Sequence, residues 1–310
     1  MQKRRAQKMT AWKLTALAVS VAAGMARAGN TCTWTNAWDT TPSASGDMIV
    51  IAAGSTNLTW GASLPATVAS WTQQAGYSCT ATFQTVYGTN GFTNFTVSGD
   101  VTLNGGAWTH AANGSTEANR LRVTVGGNLL ITNATITADG CGYSSGGPGT
   151  ASYPNGAAYG GVGGGGVTNV YGSVVAPTNL GSASSTHAGG GAILLTVAGT
   201  TTVASAGMIS ANGAFNNDSW TGSGGSVFLT SGWLAGTGTF CALGGNGNNG
   251  GNGAGSGGRV AIILTGTNAD FGSWNGTNVA YTGKSGNWAS PGGGWNGLSQ
   301  ARKWSGYPDH

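Results

Sequence analysis

Three blocks of sequence decide the fold: Gly190-Gly191-Ala192-Ile193-Leu194-Leu195, Gly224-Gly225-Ser226-Val227-Phe228-Leu229 and Gly257-Gly258-Arg259-Val260-Ala261-Ile262. They align at offsets of 34 and 33 residues, and self-similarity at such a period marks a stack of repeated units. A second pattern trails the blocks. Ile209-Ser210-Ala211-Asn212-Gly213 echoes Ile136-Thr137-Ala138-Asp139-Gly140, and Phe240-Cys241-Ala242-Leu243-Gly244 is a looser copy.

Outward from these blocks the chain consists of short β-rich runs, such as Leu121-Arg122-Val123-Thr124-Val125, broken by Gly-Gly, Ala-Gly and Asn-Gly turn signals. No long 3.6-residue pattern follows the N-terminal segment, so the expected class is all-β. Each unit reads as a coil of two or three strands that lays its inward side chains on those of the next coil. The expectation is a parallel β-helix, a solenoid, with a β-sandwich or jelly roll as the alternative. Residues 29–93 read as an N-terminal β cap region, and 94–283 as the Gly-rich β-helix with long loops at 140–191 and 244–258. Residues 284–310 read as a C-terminal tail.

The first 28 residues have the form of a secretory signal. Lys3, Arg4, Arg5, Lys8 and Lys13 precede an apolar run from Leu14 to Gly24, which ends in Ala26-Arg27-Ala28. Cleavage after Ala28 is expected, with a secreted or cell-surface product and no membrane span after cleavage. Six basic residues leave with the leader, and the six that remain face eight carboxylates, a net charge of −2. That balance argues against nucleic acid as a partner. Cys32, Cys79, Cys141 and Cys241 all lie in the exported part and are candidates for disulfides, with Cys32 to Cys79 favoured by proximity along the chain.

The alternation of Leu/Val-rich strands with Ala-Asp-Gly or Ala-Asn-Gly turns, the glycine runs, and Gly-Gly-Arg259-Val260-Ala261-Ile262 resemble glycine-rich β-helical proteins of bacterial surfaces and secretions. The likeness covers residues 94 to 283. It implies an extracellular setting, since such proteins include adhesins and some polysaccharide-degrading enzymes.

The chemistry-bearing residues are few. A glycosidase needs two positioned carboxylates, and the eight here are dispersed; Asp139 and Asp218 are the only acids worth testing. Aspartates beside glycine or asparagine read first as turn and cap residues. No cysteines have metal-ligand spacing, and the Gly/Asn run from Gly244 lacks the aspartates a calcium roll requires, so no metal and no cofactor is expected. His110 and His187 have no argued catalytic partner. Tryptophan is the suggestive excess, because an indole beside Asn, Ser and Thr can stack on a sugar ring. Trp220, Trp233 and Trp274 are the candidate carbohydrate contacts. The expected function is a structural or adhesive protein without catalytic activity, and the alternative is a carbohydrate-binding or polysaccharide-degrading protein. Polysaccharide or cell-surface glycans are the candidate partners, together with self-association through the coil ends.

Overall fold

The computed structural model describes residues 29–185, 187–214, 220–246, 253–280 and 300–303. The leader, Asp218, part of the run at 244–258 and most of 284–310 lie outside the described residues. The strands in chain order are β1 (Thr31–Trp34), β2 (Met48–Ile51), β3 (Leu58–Trp60), β4 (Thr67–Val68), β5 (Ser70–Gln73) and β6 (Thr80–Phe83). They continue with β7 (Phe95–Val97), β8 (Val101–Leu103), β9 (Ala107–His110), β10 (Leu121–Val125), β11 (Leu129–Ile131) and β12 (Thr135–Thr137). The last are β13 (Ala192–Val203), β14 (Met208–Ser210), β15 (Ser226–Gly236), β16 (Thr239–Cys241), β17 (Arg259–Leu264), β18 (Thr277–Val279) and β19 (Gln300–Lys303).

These strands gather into two parallel sheets, one of twelve strands and one of seven. The larger branches at β13, whose first half pairs with β10 and whose second half pairs with β11, so two ladders merge into one continuous sheet. Inward residues of both ladders and of the smaller sheet, among them Leu195, Val203 and Ile209, share one core, and the large sheet therefore curls around it.

This corrects the expected parallel β-helix. A regular solenoid needs a constant step. Successive partners in the ladder from β1 to β13 (Thr31 to Met48, Met48 to Ser70, Trp71 to Val101, Val101 to Leu129, Leu129 to Thr201) stand 17, 22, 30, 28 and 72 residues apart. The 33- to 34-residue step belongs to β13, β15 and β17, where Ala192 pairs with Ser226 and Ser226 with Arg259. Strands β1 to β6 belong to the same two sheets as the later strands. The sandwich alternative is corrected as well, since every pair of named strands is parallel and antiparallel contact is confined to isolated bridges.

The core is graded along the stack. Near its N-terminal end Trp60, Trp71, Phe83, Phe95 and Trp108 are fully buried, with ring centroids 4.9 to 6.5 Å apart in tilted and edge-to-face contacts. Each such ring contributes about 1.5–3 kcal/mol by burial and each pair about 0.5–1.5 kcal/mol more. Trp38 lies edge-on to Trp60 at 5.9 Å and to Trp34 at 5.1 Å, at the end of the stack that β1 begins. Farther along the core is mainly aliphatic, with Ile136, Ile193, Leu195, Ile209 and Val227 beside the buried ring of Phe240.

The Gly-rich stretches, largely without regular strand structure, carry backbone hydrogen bonds of their own. Gly142 N donates to Gly189 O at 2.7 Å, Gly190 N to Ser223 O at 2.8 Å, Gly224 N to Ser256 O at 2.9 Å and Gly160 N to Gly257 O at 3.0 Å. These segments hydrogen-bond to one another outside any strand ladder, and they pack backbone against backbone. A Cβ on Gly224 would fall 2.4 Å from Ala242 O and 2.5 Å from Gly258 N. Glycine is required there by close approach rather than by a turn.

Candidate functional site

The carboxylates are the candidate acids of the chain. Each described carboxylate accepts a backbone N–H. Asp39 takes Thr33 and Thr40, Asp47 takes Asn30, Ser43 and Ala44, and Asp100 takes Asn128. Glu117 takes Leu180, Asp139 takes Asn212 and Asp270 takes Gly272. The amides bonded to Asp39 hold its carboxyl below the usual range. Of the two candidate acids Asp139 and Asp218, Asp139 is committed to holding its own turn against Asn212.

The histidines are equally committed. His110 is almost wholly buried, its Nδ1 sits 2.8 Å from Ala111 O, and its Nε2 accepts from Ala192 N at 3.2 Å. Burial pushes its imidazole down to about 4, against the smaller upward effect of the Ala111 bond, so the ring is neutral with the proton on Nδ1. His187 Nδ1 lies 2.8 Å from Trp220 O. Among the described residues no three of His, Cys, Asp and Glu come together, and no helix is long and apolar enough to cross a membrane.

The four cysteines are free thiols, which corrects the expected disulfides. Cys32 faces the core from β1, whereas Cys79 lies between β5 and β6. Cys141 Sγ contacts Asp139 O at 3.5 Å and Thr109 Oγ1 at 3.8 Å, while Cys241 Sγ accepts from Asn212 Nδ2 at 3.6 Å. Each sits at its own level of the stack. Burial pushes the Cys141 thiol up, and Cys241 up to about 11, so both are protonated at neutral pH.

A polar cluster with no local sequence signature fastens the glycine segments to the large sheet. Tyr159 OH bonds Ser226 Oγ at 2.6 Å, and Tyr171 OH bonds Leu180 O at 2.6 Å and Ser182 Oγ at 2.7 Å. Arg259 donates through Nη2 to Tyr171 O at 2.9 Å and lies 5.4 Å from the Tyr159 ring centre. Glu117 Oε1 accepts from Asn179 Nδ2 at 3.0 Å and Leu180 N at 3.1 Å. Burial raises the phenols of Tyr87, Tyr143, Tyr159 and Tyr171, with the Glu117 carboxylate adding to each; Tyr159 reaches about 12. They remain donors and are poor bases.

The outward faces carry a pattern of a different kind. Thr67, Thr96, Thr124, Thr196 and Thr230 pair in unbroken succession along the large sheet. On the smaller sheet Thr59, Thr82 and Thr109 do the same, and Thr72 pairs with Thr102 on the second ladder. Adjacent strands are about 4.7–4.9 Å apart, so each column repeats an uncharged hydroxyl and methyl at that interval. Thr59 and Thr196 are exposed and the others half-buried.

The three tryptophans proposed from sequence do not converge, and among the described residues no ring contact joins them. Trp220 meets Tyr153 edge-on at 4.6 Å beside the glycine segments. Trp274 packs on Phe240 at 5.2 Å, at the margin of the core. Trp233 alone faces outward at 45% exposure, in register with Thr200 and lying against Gly266, where a Cβ would fall 2.5 Å from its Cε2. In comparisons with known proteins the chain matches no family model, no curated protein and no solved structure.

Proposed function

We propose that the protein is a secreted or cell-surface structural and adhesive scaffold without catalytic activity. The threonine columns carry this reading, because a rigid, uncharged array of hydroxyl and methyl groups suits contact with a neutral, hydroxyl-rich surface such as a glycan coat. The use of each described carboxylate as a backbone acceptor fits a chain whose polar groups serve the frame. Self-association through the ends of the stack would extend the array, and light scattering against concentration reports it.

A second reading, carbohydrate binding, is favoured by the exposed indole of Trp233 in register with Thr200, an arrangement on which a sugar ring can stack. Intrinsic tryptophan fluorescence titrated with a panel of soluble polysaccharides tests both. A saturable shift with one polymer that disappears in Trp233→Ala establishes the second reading. A flat response, with retention on insoluble polysaccharide or on cells, supports the first.

A further inference from the structure

Gly29 is locked against the turn that precedes β2. A Cβ built on it would fall 1.5 Å from Gly46 O and 2.7 Å from Asp47 N, so no other residue fits without moving backbone. The next amide, Asn30 N, donates to Asp47 Oδ1 at 2.9 Å, and Asn30 O accepts from Met48 N at 2.8 Å. Asp47 is fully buried, and its Oδ2 accepts from Ser43 N at 2.8 Å and Ala44 N at 2.9 Å. The nitrogen of Gly29 is therefore one residue from a buried carboxylate that already organises the start of the sheet. Amide bonds stabilise such a carboxylate, and an opposite charge stabilises it further in a low-dielectric setting.

We propose that the chain is processed at the Ala28–Gly29 bond and that the new α-ammonium group of Gly29 becomes an ion-pair partner of the Asp47 carboxylate. This rests on the reading of residues 1–28 as a cleaved leader. The step is a hydrolysis performed by a leader-cleaving export peptidase. Water adds to the Ala28 carbonyl carbon, the C–N bond breaks, Ala28 leaves as a carboxylate, and the Gly29 nitrogen takes up protons to become an ammonium. A neutral amide is thereby replaced by a cation beside Asp47, and removal of the leader completes the end of the sheet that β1 begins.

The experiment uses the exported full-length product. Intact mass first fixes the mature N-terminus, and a start elsewhere than Gly29 overturns the leader reading and the proposal with it. Amine acylation with an activated ester at neutral pH is then followed by peptide mapping, with Lys284 and Lys303 as internal references. The Gly29 amine is expected to react at least tenfold more slowly in the folded protein than in urea, and Asp47→Asn is expected to abolish that protection. Should Asp47→Asn fail to fold, a product one residue longer that begins at Ala28 serves instead, with a lower unfolding midpoint and an unprotected amine expected. A mature chain that begins at Gly29 but reacts equally fast folded and unfolded overturns the ion pair while leaving the leader reading intact.

Discussion

Asp139 accepts two hydrogen bonds from Asn212, a residue 73 positions further along the chain: Asn212 N reaches Oδ1 at 2.7 Å and Asn212 Nδ2 reaches Oδ2 at 3.1 Å. Asn212 in turn accepts Leu243 N on its Oδ1 at 2.7 Å. The same relay joins Asp100 to Asn128 and Asn128 to Thr200 N. Side-chain oxygens at the turns thus pass a hydrogen bond from one level of the stack to the next.

Asp139→Ala should destabilise the protein by about 1 kcal/mol, the usual worth of such a bond at a partly exposed site. Asn212→Ala should do more, about 1–2 kcal/mol, because it removes the Nδ2 bond to Asp139 and the bond from Leu243 N, while the backbone bond from Asn212 N to Asp139 stays. Urea unfolding monitored by circular dichroism measures both. Loss of a depolymerising activity in Asp139→Ala at unchanged stability would sink the scaffold reading.

Glycine packing gives a sharper contrast. The Cβ of Gly224→Ala would meet two backbone atoms, Ala242 O at 2.4 Å and Gly258 N at 2.5 Å, and neither can step aside alone. A loss of roughly 3 kcal/mol or failure to fold is expected, by the overpacking argument. Gly114 has no atom within 4 Å of its Cβ position, so Gly114→Ala should change stability by no more than about 0.5 kcal/mol. Equal thermal midpoints for the two variants would mean that the glycine segments are looser than their hydrogen bonds indicate.

The sequence made some of this legible and hid the rest for physical reasons. The all-β class followed from short strands and turn signals, and the register of Ala192 with Ser226 and Arg259 followed from the three aligned blocks. The turn role of Asp139 followed from the Ala-Asp-Gly pattern. The branching of the large sheet was hidden because β13 reads as one strand yet serves two ladders. The threonine column was hidden because Thr124 and Thr196 are neighbours only by virtue of the long glycine insertion between them, so no single period aligns the column. The tyrosine cluster joins Glu117 to Asn179 and Tyr159 to Ser256 across 62 and 97 residues, where no local pattern reaches.

His110 gives the stack a pH dependence whose sign follows from its burial. Its folded value of about 4 lies below the ordinary 6.5, so the unfolded chain takes up a proton that the folded chain refuses. The contribution is complete above pH 6.5 and falls as the pH drops from 6.5 to 4, by roughly 3 kcal/mol at about 1.4 kcal/mol per unit. Asp39, whose folded value is lowered from 3.8, adds its own loss only at still lower pH. Thermal midpoints from pH 7 to 4.5 should fall in the parent protein and flatten in His110→Gln. The same slope in both would place the titration elsewhere.

The two kinds of tryptophan should separate when each is removed. Trp71 is fully buried and meets Trp60, Phe83, Phe95 and Trp108 at 5.2 to 5.7 Å, so Trp71→Ala leaves a cavity and is expected to cost about 3–5 kcal/mol. Trp233 is 45% exposed on the outer face of β15, and Trp233→Ala should keep stability within about 1 kcal/mol of the parent. If its indole receives a sugar ring, the same change removes about 1 kcal/mol of binding, roughly a fivefold to tenfold loss of affinity. Unfolding midpoints and a polysaccharide titration on the two variants make the comparison. Unaltered polysaccharide affinity in Trp233→Ala would remove the indole from the contact surface and leave the threonine columns to account for adhesion.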